Sequence, residues 1–448
     1  MIRYLLFIFC FTGIGSQTFA QSVEWEGGLS AAGLFSSEET NPFWMMMNTD
    51  RKYGAETQFA GLAEVTGTYA ISTNASLEAG VGLYYRDGVE DEFQRRELYL
   101  QFRNTWLKAT LGSQAAPRVA GDLSATNKNF LMSGNARPLG GIMLEANEPI
   151  WVSETFAIDW GLGHYQLNDD RFVDDVRVHY KRLGLLIRFN EQHKLRAQIQ
   201  HYAQWAGTSP VFGELPSDFE AFIDVFIARK APEIDQEGEI LNAVGNHLGT
   251  FLLDYEFKTS IGQFSVYHEH PFEDGSGTRW ANFPDGVWGV YFQPNNSRFL
   301  EAVLYEYIDT NDQSASDVSG VDNYFRNNVY RSGWSYEGAV IGLPFILIDN
   351  SFAVTDTNSP IVSNRVQAHH FGLKGRVKKV DWLLKSSVVS QLGSYSTPFV
   401  PELNFWHNYL SLMYDTEKYG VVSLFTAVDS GSAIDTNFGG GVAYQYRF

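Results

Sequence analysis

The chain has 448 residues, and its 52 acidic against 33 basic side chains give a formal net charge of −19, which argues against nucleic-acid partners. A single cysteine rules out a disulfide scaffold and any paired-cysteine metal motif. Aromatic residues reach 15% and glycines number 41, yet mean hydropathy is only −0.20, a balance expected where apolar and polar residues alternate along strands.

Residues 1–20 carry Arg3, an apolar run from Tyr4 to Phe11, and the small residues Thr18 and Ala20 before Gln21. This is the pattern of a secretory signal peptide cleaved after Ala20, and Cys10 leaves with it. No later stretch reaches the roughly 20 apolar residues of a spanning helix. The longest, residues 339–348, contains Gly342 and Pro344. An exported chain that enters the outer membrane does so as a closed barrel, a soluble secreted sandwich being the competing reading. Residues 21–60 show little helical periodicity and read as an N-terminal periplasmic segment, with the barrel spanning 61–448.

Period-two alternation begins in residues 77–86, where Leu77, Ala79, Val81 and Leu83 share one face. It recurs with Leu98, Leu100 and Phe102; with Leu195, Ala197 and Ile199; with Phe251, Leu253, Tyr255 and Phe257; and with Val380, Trp382 and Leu384. The chain ends on Val442, Tyr444, Tyr446 and Phe448 facing one way, against Ala443, Gln445 and Arg447 facing the other. At about 9 to 11 residues per strand plus a connection, the mature chain accommodates roughly 16 to 20 strands. The predicted fold is all-β, a transmembrane antiparallel β-barrel of about 18 strands. One segment departs from it. Ser217 is placed to cap a helix from Asp218 to about Lys230, with Phe219, Phe222, Ile223, Phe226 and Ile227 on one stripe. That helical insertion near 217–230 belongs to a long loop, 207–249, expected to fold over or into the lumen.

Phosphate-binding glycine loops, nucleophile elbows and zinc-protease helices are absent from the sequence, so no catalytic residue, metal ligand or cofactor is assigned. The densest polar and aromatic cluster holds His268, His270, Glu273, Asp274, Arg279 and Trp280, with Trp288 beyond. In an extended backbone His268 and His270 share a side, which admits a metal with Glu273 or Asp274 as third ligand. Sugar recognition, with rings stacking on pyranose faces, and plain structural hydrogen bonding are the alternatives. A second cluster centres on Asn135 and Arg137, the latter placed to hold an acidic group; a third contains Arg331 and Trp334.

The segment from Phe130 through Ser133, Asn135 and Arg137 to Pro138 resembles a conserved block of the Wzi family of outer-membrane capsule-assembly proteins, in the form found in Bacteroidetes-like bacteria. The stretches 41–44, 245–249, 267–277 and 328–334 are similar to further family blocks in the same order. The resemblance implies an eighteen-stranded barrel with a largely blocked lumen, and a lectin-like role in holding capsular polysaccharide. The family's small periplasmic helical bundle has no evident counterpart in residues 21–60. The expected partners are therefore capsular or other surface polysaccharide, outer-membrane lipid, and the barrel-assembly machinery during insertion, with the protein a monomer and not an enzyme. The alternative is an outer-membrane porin or solute transport channel.

Overall fold

The computed structural model describes residues 23–229, 244–273, 275–317, 321–432 and 434–448. The predicted signal peptide and Asp274 therefore lie outside the described residues, as does Lys230. Among the described residues, eighteen long strands form one closed antiparallel sheet. They begin with β1 Val23–Ser36, β2 Phe59–Ser72, β3 Ala75–Arg86, β4 Phe93–Arg103, β5 Leu107–Ser113 and β6 Gly140–Ala146, the last continued by the short piece Ile150–Trp151. Next come β7 Phe156–Leu167, β8 Val176–Arg188, β9 His193–Trp205, β10 Asn246–Lys258, β11 Gly262–Phe272 and β12 Gly286–Pro294. The wall is completed by β13 Leu300–Asp309, β14 Val366–Val377, β15 Val380–Gly393, β16 Pro398–Asp415, β17 Val421–Gly431 and β18 Asn437–Arg447. Each strand pairs with its sequence neighbours, and β1 pairs with both β2 and β18, which closes the cylinder.

Alternation fixes which side chains face out, because a strand's period of two sends successive residues to opposite faces. On β10, Leu253 and Tyr255 are exposed on the outer wall while Leu248, Thr250, Leu252 and Asp254 are buried in the lumen. On β18, Val442, Tyr444 and Tyr446 are exposed on the outside, followed by Phe448, as the alternation predicts. The predicted periplasmic segment 21–60 needs correction. Residues 23–36 are a wall strand, since exposed Trp25, Leu29 and Phe35 alternate with small or polar residues in register with β2 and β18. Residues 37–58 then turn back into the barrel, where the short helix α1, Phe43–Met46, buries Trp44 and Met45.

Connections at one end are tight, such as 73–74, 259–261 and 378–379; at the other end they are long, such as 37–58, 114–139, 206–245 and 310–365. In outer-membrane barrels the short turns are periplasmic and the long loops extracellular. Three of these long connections fold inward and fill the lumen with a packed core in which Trp44, Phe130, Phe325, Trp334, Tyr336 and Phe345 are buried.

Carboxylates of the wall and its loop-side rim hold this plug by accepting its backbone N–H groups. Glu306 accepts from Ala125 N at 2.7 Å and from Ser124 Oγ at 2.6 Å; Glu269 accepts from Phe130 N at 2.9 Å; Asp429 accepts from Phe43 N at 2.7 Å. Bonds of this kind satisfy loop backbone that would otherwise be buried without partners.

The predicted helix exists as α2, Phe219–Ile227, but Asp218 rather than Ser217 caps it, its side chain accepting from Ala221 N at 2.8 Å. Nor does it fold over or into the lumen. Phe222 packs on His164, His179 and Trp205, all on the outward face of β7, β8 and β9. A helix satisfies its own backbone and so tolerates an apolar exterior. Here Ala221 and Val225 are buried against the wall while Phe219 and Ile227 remain exposed on the far side.

Candidate functional site

The extracellular part of the 310–365 connection carries the residues that are not consumed by the plug. Tyr324, Phe325, Val329 and Tyr330 are buried anchors. Tyr324 donates its hydroxyl to Asp285 at 2.9 Å and Tyr330 donates to the carbonyl of Ala206 at 3.2 Å. Around those anchors Asn328 is exposed, while Arg326, Asn327 and Arg331 are half-buried. Gly333 ends the turn at φ +70°, where an added Cβ would lie 2.5 Å from the carbonyl oxygen of Phe325, so only glycine fits there.

Arg326 reaches Ser396 Oγ at 3.5 Å in the loop between β15 and β16. Arg365, at the foot of β14, lies over the Tyr395 ring of the same loop at 4.1 Å and donates to Asn311 Oδ1 at 2.6 and 3.0 Å. Tyr395 in turn donates to the carbonyls of Asn311 and Asp312 at 2.8 and 3.0 Å. Among the described residues none of Arg326, Arg331 and Arg365 forms an ion pair, although other arginines do, such as Arg171 with Asp169 at 3.1 Å. Partial burial, and then the neighbouring Arg331 guanidinium, push Arg326 below its ordinary pKa. Three guanidinium groups without carboxylate partners, beside an exposed tyrosine ring, suit the carboxylates and hydroxyls of a sugar chain.

The sequence-predicted residues scatter over three places. Asn135, Arg137 and Trp334 are structural parts of the plug. Asn135 donates to the carbonyl of Val340 at 3.0 Å, and Trp334 donates to that of Leu131 at 2.6 Å from full burial. Arg137 spends its fork on Glu337, the Tyr336 hydroxyl at 3.1 Å and the Arg95 carbonyl at 3.0 Å, which leaves it no acidic ligand to hold. Glu273 is likewise occupied, accepting from Phe325 N at 2.6 Å.

His268 and His270 do share a side, and that side is the outer wall. On β11 it is Tyr267 and Glu269 that enter the lumen, where Tyr267 donates to Glu306. The loop after β11 brings Trp280 back over the wall, so that the His270 ring stacks on Trp280 at 4.1 Å and the His268 ring on Trp288 at 3.7 Å. Among the described residues no group of three metal-ligating side chains assembles there or elsewhere. Arg279 is exposed and pairs with Asp317 at 3.5 Å. Of the predicted residues only Arg331 lies in the arginine cluster. Arg326, Arg365 and Tyr395 were not singled out; the asparagine-rich surroundings of Arg326 were the available signal.

A protein-family model described as capsule assembly protein Wzi matches residues 36–345. Among solved structures, the chain resembles Wzi of Escherichia coli, described as an outer membrane protein involved in group 1 capsule assembly and as a carbohydrate-binding β-barrel. Identity is 13%, with 94% of this chain and 84% of that one covered at a TM-score of 0.60. OccK5 (OpdH) of Pseudomonas aeruginosa is 10% identical over 95% of this chain and 98% of its own, at a TM-score of 0.51. OprD of the same organism is 8% identical over 95% of each chain, also at 0.51. At these identities the structural likeness establishes the fold alone. No curated protein matches. The family match spans more than half of the chain, and with the closed eighteen-stranded wall it settles the assignment: this protein belongs to the Wzi capsule-assembly family of outer-membrane β-barrels.

Proposed function

We propose that this protein holds surface polysaccharide at its extracellular loop face and so helps to assemble or anchor a capsule, without making or breaking covalent bonds. The observation that carries the reading is the cluster of Arg326, Arg331 and Arg365, three cations without acidic partners among the described residues, in a chain of net charge −19. A precedent is the Escherichia coli structure described as carbohydrate-binding. An acidic protein that holds an acidic polymer needs local cations of this kind to offset long-range repulsion. Weak contacts to successive repeats of one polymer add by multivalency. The outward apolar side chains meet outer-membrane lipid, the barrel-assembly machinery inserts the chain, and a monomer suffices for the task.

A solute channel is disfavoured by the plug, whose buried aromatics occupy the space a pore would need. The test replaces Arg326, Arg331 and Arg365 together by alanine and measures binding of purified barrel to polysaccharide from its own host, together with capsule retained on cells. Binding is expected to fall by about 10- to 100-fold, a loss of roughly 1.4 to 2.7 kcal/mol. Wild-type binding and retention in the triple variant would remove the site, and shortening of the bound polymer would contradict the non-enzymatic reading.

A further inference from the structure

Below the plug the lumen is not filled. A cavity of about 520 Å³ lies between the plug segment 116–132 and the periplasmic turns, walled by β8 to β12. Its volume falls within the range of about 300 to 1,000 Å³ typical of small-molecule sites. The long connections that form the proposed polysaccharide face all leave the opposite end of the barrel, so this vestibule is a separate place.

Its chemistry is neither that of a lipid pocket nor that of a simple anion trap. Lumenal positions along β9 carry Lys194, Arg196 and Gln198; β11 and β12 place Gln263 directly opposite Gln293 and Ser265 opposite Tyr291. Glu256 on β10 stands opposite Lys194 in register, yet no ion pair joins them. Deeper in, the groups are spent on structure: Lys128 of the plug donates to Asp254 and Ser265, each at 2.8 Å, and Arg182 pairs with Asp159 at 3.0 Å. Among the described residues the side chains of Lys194, Gln198, Glu256 and Gln263 make no hydrogen bond or ion pair with the rest of the protein. Strand register sets Lys194 opposite Glu256, with Gln263 level with Lys258 toward the periplasmic turn and Gln198 level with Leu252 deeper in, so that they line successive depths of the cavity.

Amides supply a donor and an acceptor from one side chain, and with one carboxylate, cations and the face of Tyr291 they match a surface of vicinal hydroxyls and ring C–H groups. Anionic ligands would meet Glu256 and Asp254 among the cations, and the apolar lining, which includes Val119, Met132 and Leu252, is interrupted by these polar groups. Because the plug roofs the cavity, an occupant enters and leaves on the periplasmic side.

We propose that this vestibule is an oligosaccharide-binding site open to the periplasm, taking a short stretch of sugar chain. The proposal deepens the polysaccharide reading and shares its ligand class, but it uses different residues at the other end of the barrel. The experiment uses the full-length protein in detergent and three probes, maltotriose, chitotriose and hyaluronan tetrasaccharide, followed by saturation-transfer NMR and calorimetric titration. At least one probe is expected to bind in the millimolar range and to lose about tenfold or more in affinity in the double variant Gln198→Leu, Gln263→Leu. Both glutamines are unpartnered, so the fold is expected to survive, and an unchanged unfolding temperature checks it. As a second arm, Gln263→Cys is labelled with a bulky maleimide, which should block binding without altering any other wall residue. Replacing Arg326 and Arg331 should leave probe binding intact while reducing capsule retention, which separates failure of this site from failure of the extracellular one. Absence of binding by all three probes, or equal binding by wild type, double variant and labelled protein, would overturn the proposal.

Discussion

Arg137 and Arg331 look alike in the sequence, each following one or two asparagines in a loop, and the structure gives them opposite fates. Arg137 is buried and its guanidinium is fully used by Glu337, Tyr336 and a carbonyl, whereas Arg331 lies near Arg326 with its Nε buried and unbonded. What separates them is the position of an acid from a distant part of the chain, which no local pattern reveals. Asp285 is a residue with a measurable consequence. Burial, as the largest cause, raises its pKa to about 7, against the lowering effect of donors from Gln313, Asp312 and Tyr324. Below about pH 4 the acid is neutral in both folded and unfolded chains; between about pH 4 and about pH 7 the folded chain keeps a proton that the unfolded chain has lost. Stability from this group is therefore greatest at low pH and falls as pH rises through that window. Asp285→Asn is expected to flatten this slope, raising the unfolding temperature at pH 7 relative to pH 5 by a few degrees compared with wild type. Parallel slopes in the two proteins, followed by thermal circular dichroism, would contradict the assignment.

At the scale of elements, the strands were legible because alternation is a local property. The faces of β9, β10 and β18 follow the predicted parity residue by residue. Parity alone does not say which face is the lumen when both are polar or aromatic. On β11 the pair His268 and His270 and the pair Tyr267 and Glu269 are equally plausible lumenal groups until the partners on β10 and β13 are known. The same ambiguity misplaced α2, since an apolar helical stripe is compatible with a lumen, a lid or an outer wall. Its attachment makes a clear prediction. Val225 is fully buried against the wall, so Val225→Asp places an unpaired charge in an apolar contact and should release the helix, at a local cost of several kcal/mol. Limited proteolysis should then cleave within 210–229 while the barrel keeps its heat-modifiable migration in electrophoresis. Unchanged protection of that segment would show that the packing on His179 and Trp205 does not hold it.

At the scale of the whole molecule, the barrel was readable from alternation and the capsule-assembly family from resemblances in order along the chain, whereas the contacts of the plug were readable from neither. Alternation and the terminal aromatic strand point to a wall, but the plug is assembled from three separate connections whose contacts are long-range. Ser124 meets Glu306, Phe43 meets Asp429, and Leu131 meets Trp334. These contacts predict an electrically silent barrel. In planar bilayers the wild type should show no steady conductance, while deletion of plug residues 118–134 should produce stable channels. Steady channels from the wild type would restore the transport reading.

The pairing of β1 with β18 also bears on how such a molecule comes into being. Leu29 faces Tyr446 and Gly33 faces Val442, so the first strand finds its second neighbour only in the last eleven described residues of the chain. Until that pairing forms, the unclosed sheet carries two open edges with unpaired backbone donors and acceptors, the condition under which strands recruit one another between molecules. Closure is a single late event that removes both edges together, and truncation near Val442 would expose β1 and β17 at once.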